Sequence, residues 1–162
     1  MAAVFSGSEL INIAIGIEKR GIAFYDVMAR SADNATARSA FQYLCDMERE
    51  HVKIFQGMFG EADKYQPVEA ATADYAGYLQ ALIDSAVFTD DLATSEVATH
   101  TANDLEALEL AIGVEKDSIL FYYQLGEVIP QPARSVVSKI IAEEKLHLRE
   151  LSDLKKRLAS GG

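Results

Sequence analysis

Two stretches, AIGIEKRGIAFY at residues 14–25 and AIGVEKDSILFY at residues 111–122, match at eight of twelve positions. Each repeats apolar residues at helical spacing, with a glutamate, Glu18 or Glu115, in the middle of the apolar stripe. Further along, DMEREH at 46–51 and IAEEKLH at 141–147 place a Glu-x-x-His in each half, Glu48 with His51 and Glu144 with His147. The offsets between halves are 97 residues for the first pair and 96 for the second. An internal duplication accounts for this and implies a pseudo-twofold arrangement.

Working outward, the spacing predicts a first helix from Ser6, where Ser6 and Glu9 have capping-box spacing, to about Arg30. Asp33 or Asn34 caps a second helix that continues to Gly57 and Gly60. Residues 60–102 break the pattern, with Pro67 and a run of Ala, Thr and Asp. Residues 75–88 then read as one shorter amphipathic helix within a long crossover. Asn103 and Glu106 cap the next long helix, which ends before Pro130, and Pro132 opens the last, running to about Leu158. The expectation is an all-α chain with one domain over residues 1–162: a four-helix bundle of two hairpins, 6–59 and 103–158, joined by a crossover.

Composition agrees. The chain has 162 residues, 49% of them apolar, with three prolines and no tryptophan, which suits one helical core. A net charge of −10 with no basic stripe excludes nucleic acid as a partner. The basic cluster Lys155, Lys156 and Arg157 complements the negative end of the last helix dipole. No run of 18 residues is apolar enough for a membrane span, and no leader pattern stands at the N-terminus. Cys45, the lone cysteine, forms no internal disulfide and reads as a small core filler, so a reducing cytoplasm is expected. His100 reads as a surface residue of the crossover.

On a helix, residues three, four and seven apart share a face. Glu18 is flanked in this way by Ile11, Ala14, Ile15, Gly21, Ile22 and Tyr25, and Glu115 by Leu108, Ala111, Ile112, Ser118, Ile119 and Tyr122. Glu48 and Glu144 lie on equally apolar faces with a histidine one turn on, whereas Glu50 and Glu106 have polar neighbours. Four carboxylates and two imidazoles buried together cost several kcal/mol per ion if unpaired, and no Lys or Arg occurs on these faces. Two divalent cations balance the four carboxylates. The donor set, mostly oxygen with two nitrogens and no thiolate, suits iron or manganese. The candidate metal ligands are therefore Glu18, Glu48, His51, Glu115, Glu144 and His147. Tyr25 and Tyr122 lie two turns beyond a ligand glutamate, as donors to the carboxylates or as core aromatics satisfied locally.

The run Glu18-x6-Tyr25, Glu48-x2-His51, Glu115-x6-Tyr122, Glu144-x2-His147 resembles the di-iron domain of the rubrerythrin family, within the ferritin-like superfamily, over about residues 8–158. The resemblance implies a pair of iron ions, with manganese or zinc as substitutes, bridged by Glu48 and Glu144 and closed by terminal Glu18 and Glu115. It implies a role in oxidative stress, oxidation of the iron pair by hydrogen peroxide or dioxygen, and a homodimer. Ile112 stands where rubrerythrins carry an additional Glu, which makes the centre more like the symmetric six-ligand site of bacterioferritin. With Cys45 alone there is no rubredoxin-like four-cysteine domain, so a separate rubredoxin-like electron donor is implied. Two other readings stand beside this one: ferritin-like iron oxidation and storage, and a protein that uses its metals only for stability.

Overall fold

In the computed structural model, which describes residues 5–62 and 73–161, six helices run in the order α1 (Gly7–Ser31), α2 (Ala35–Ala62), α3 (Ala73–Asp84), α4 (Asp91–His100), α5 (Asp104–Val128) and α6 (Ala133–Ala159). Pro67 lies outside the described residues. The starts of α1, α2 and α5 follow from their capping residues, whereas α6 starts after Pro132 without a side-chain cap. Ser6 Oγ accepts from Glu9 N–H at 3.1 Å, and the Glu9 carboxylate accepts from Ser6 N–H at 2.6 Å, closing the expected capping box. Asn34 accepts from Ala37 N–H, and Asn103 from Glu106 N–H, at 3.0 and 2.9 Å.

Short links force antiparallel neighbours, so α1 packs along α2 and α5 along α6. The hairpins then meet through α1 against α5 and α2 against α6. The Asp104 carboxylate ties them at one end by accepting from the Asp33 and Asn34 N–H groups at 3.1 and 2.7 Å.

Two expectations are corrected. Gly57 and Gly60 do not end α2, which runs on to Ala62; neither glycine has a heavy atom near its absent Cβ, and a glycine inside a helix costs only about 1 kcal/mol. Among the described residues the crossover carries two short helices rather than one. After α3 the chain turns through Phe88, and Asp90 caps α4 by accepting from Ala93 N–H at 2.7 Å. Phe88 packs on Phe24 with ring centroids 5.1 Å apart, and Val87 N–H donates to Asp117 at 2.8 Å, which fixes the crossover against α1 and α5.

The core falls into two apolar clusters. One gathers Phe24, Phe41, Leu108 and Leu151, the other Ile11, Phe55, Phe121 and Ile140. On all four long helices the chain passes from one cluster to the other across a polar residue: Glu18 on α1, Glu48 and His51 on α2, Glu115 on α5, Glu144 and His147 on α6.

Candidate metal centre

These six side chains form one polar layer inside the bundle, each at most 2% exposed. They meet because each helix places its glutamate mid-stripe, and the two hairpins bring the four stripes face to face.

His51 Nδ1 lies 2.9 Å from Glu144 Oε1, 3.1 Å from Glu48 Oε2 and 3.7 Å from Glu18 Oε1. His147 Nδ1 lies 3.2 Å from Glu144 Oε2 and 3.8 Å from Glu115 Oε2. The two imidazoles stack with centroids 6.3 Å apart and planes 29° from parallel. Two sets of four can each offer ligand atoms within 4.8 Å of one another: Glu18, Glu48, His51 and Glu144, and Glu48, Glu115, Glu144 and His147. Glu48 and Glu144 belong to both sets; the other four each belong to one.

Charge is the unusual feature. Among the described residues the buried polar side chains are these six with Thr94 and Ser118, and none is a Lys or Arg. Burial and the neighbouring carboxylates push Glu48 and Glu115 well above the usual carboxylate range. Burial acts in the same sense on Glu144, but Glu115 and both histidines outweigh it and hold Glu144 below that range. Burial alone would depress the histidines; the surrounding carboxylates overcome it, raising His51 and pushing His147 up to about 9. Protons thus supply the positive charge in the metal-free layer. Among the described residues the buried Glu115 Oε2 and Glu144 Oε1 accept no hydrogen bond of good geometry, although His51 Nδ1 stands 2.9 Å from Glu144 Oε1; a cation coordinated by them would satisfy both. The donor types, the charge and these unsatisfied oxygens fit two divalent cations.

Each tyrosine reaches across the bundle. The Tyr25 hydroxyl, from α1, donates to Glu115 on α5, and the Tyr122 hydroxyl, from α5, donates to Glu18 on α1. Each tyrosine therefore serves the glutamate of the opposite half rather than the one on its own helix. Ile112 is buried in the Phe24 cluster and offers no ligand. Cys45 is buried, its thiol donating to Ile22 O at 3.7 Å, and burial pushes its pKa up. His100 is exposed and bonds to Glu96 O within its own helix.

One participant escaped sequence reasoning. His51 Nε2 lies 2.8 Å from Glu143 Oε2 on α6. Glu143 precedes Glu144, with Lys139 and Glu150 as well as Val136, Ile140 and Leu146 at helical spacing; only the approach of α6 to α2 brings it to the outer edge of His51.

A protein-family model described as Rubrerythrin matches residues 9–155. Among solved structures, the crystal structure of a protein described as ferritin-like and diiron-carboxylate, from Thermotoga maritima, superposes with a TM-score of 0.72 at 31% identity, over 96% of this chain and 98% of that one. No curated protein matches. No described helix is long and apolar enough to cross a membrane.

Proposed function

The chain belongs to the rubrerythrin family, and from that premise we propose that it is a di-iron oxidoreductase that reduces hydrogen peroxide or dioxygen with electrons from a separate donor. The whole chain is read as one ferritin-like domain. Glu18 and His51 would hold one iron and Glu115 and His147 the other, with Glu48 and Glu144 available to both. The observation that carries this reading is the pair of overlapping ligand sets in a buried layer without Lys or Arg.

Two ferrous ions, when bound, supply together the two electrons that, with two protons, convert one peroxide to two waters; zinc, which has no redox couple, would occupy the ligands without the reaction. The protein's own contribution is placement and exclusion. Tyr25 and Tyr122 each hold one oxygen of a terminal glutamate and leave the other free to coordinate. The apolar clusters on both sides of the layer keep bulk water out. A groove between α2 and α6, lined by Tyr43, His147, Glu150 and Asp153, is the face from which small reactants would approach the layer. Cys45, the single cysteine of these 162 residues, cannot hold a four-thiolate iron, so the electrons are proposed to reach the centre from outside this ferritin-like domain.

The test is to load metal-free protein anaerobically with ferrous iron and follow the visible spectrum after one pulse of hydrogen peroxide and, separately, of air. Rapid oxidation by peroxide with no uptake beyond two irons per chain supports the oxidoreductase. Air-driven turnover with iron accumulating far beyond two per chain would replace it with iron storage.

A further inference from the structure

The two halves of the centre are not equivalent outside the ligands. His51 presents Nδ1 to the carboxylates and its outer nitrogen, Nε2, to Glu143 at 2.8 Å. With the 96-residue offset that relates Glu48 to Glu144, the counterpart of Glu143 is Met47, which has no acceptor oxygen for His147. Among the described residues, the ion pairs of His147 run through Nδ1 to Glu115 and Glu144, and its ring meets Tyr43 edge-on at 5.8 Å. The duplicated frame thus carries a carboxylate behind one histidine and a thioether in the matching position of the other.

We propose that Glu143 is a positioning residue that makes the two metal positions unequal: by accepting the Nε2–H of His51 it fixes the tautomer with Nδ1 free to coordinate, so that the His51 position binds a divalent cation more tightly than the His147 position. The physical ground is general. A histidine that donates its outer N–H to a carboxylate is held in orientation and is a more basic ligand, and removing such a partner typically costs 10–100-fold in metal affinity. This inference rests on the two-metal reading above.

The experiment uses the full metal-free chain and Co2+ as an oxidation-resistant probe, titrated anaerobically by calorimetry and by proton NMR in water. Wild type is expected to bind two Co2+ in two unequal steps. Its cobalt-loaded spectrum is expected to show a hyperfine-shifted imidazole N–H protected from solvent exchange. Glu143→Leu is expected to weaken the tighter step about 10–100-fold, leave the weaker within about threefold, and abolish the protected N–H signal. Glu143→Gln retains an acceptor oxygen; it is expected to keep the signal and to lie between wild type and Glu143→Leu in affinity. Met47→Glu supplies the missing carboxylate and is expected to tighten the weaker step. Two equal steps in wild type, or a Glu143→Leu protein in which both steps are unchanged or weakened alike, would overturn the inference and leave the two-metal reading intact. Fewer than two Co2+ bound by wild type would overturn that reading and the inference with it.

Discussion

Tyr25 sits on the same helix as Glu18, yet its hydroxyl donates to Glu115 on the opposite hairpin. Tyr122 returns the relationship by donating to Glu18. The bond therefore couples the halves, and each tyrosine holds the glutamate proposed to close the metal position of the other half. Tyr25→Phe is expected to weaken metal binding at the Glu115 and His147 position about 10–100-fold, and Tyr122→Phe to do the same at the Glu18 and His51 position. Double-mutant cycles on the stability of the metal-free protein, read by urea unfolding, check the crossing: Tyr25→Phe should couple to Glu115→Ala and be additive with Glu18→Ala. Coupling to Glu18 alone would contradict it.

Removal of one terminal glutamate tests the division into two positions. Glu18→Ala and Glu115→Ala are each expected to lose one metal per chain, whereas Glu144→Ala, which takes a ligand from both sets, loses both. Metal analysis after anaerobic gel filtration reads the difference directly.

The metal-free protein should lose stability as pH rises. Glu48, Glu115, His51 and His147 all have folded pKa values above their unfolded ones. Each therefore favours folding through a bound proton, and that contribution declines when the folded state must release it. For His147 the window runs from about pH 6.5, where the unfolded residue titrates, to about 9. Glu144 shifts downward and contributes in the opposite sense only in acid. Thermal melts of metal-free protein are expected to show Tm falling across pH 6.5–9, and melts of metal-loaded protein to show a much flatter profile, since the cation replaces those protons.

Two kinds of glycine should respond oppositely to alanine. A Cβ on Gly113 would meet Val87 Cγ2 at 2.7 Å, where the crossover presses on α5, and valine is stiff at χ1. Gly113→Ala is expected to destabilise by about 1–3 kcal/mol. Gly57→Ala and Gly60→Ala enter open space inside α2 and are expected to stabilise by about 0.5–1 kcal/mol each. Urea unfolding of the metal-loaded variants measures both.

The long helices and the polar layer were legible because they rest on strong local patterns. Ser6, Asn34 and Asn103 carry capping chemistry in the sequence itself, and a glutamate amid Ile, Ala and Phe at helical spacing has no ordinary explanation on a core face. What was not legible depends on packing between distant elements. Helix α4, DLATSEVATH, has a faint stripe in which only Thr94 and Ala98 are buried, so periodicity could not mark it. The α2 glycines mimicked a C-terminal stop, but no left-handed turn was needed there and the helix continued. Glu143 has mixed neighbours at helical spacing, Lys139 and Glu150 beside Val136, Ile140 and Leu146, so its contact with His51 emerges only where α6 meets α2; the crossing of the tyrosines likewise depends on the distance between α1 and α5, which no spacing along one helix encodes.

The most direct measurement is the number of ferrous ions held per chain at anaerobic equilibrium in wild type, Glu48→Ala and Glu50→Ala. Glu48 is buried in both ligand sets, while Glu50 is exposed and paired with Lys53 at 2.6 Å. The expected counts are two, none and two. Fewer than two in wild type, or equal counts in the two variants, would contradict a two-metal centre built on these residues.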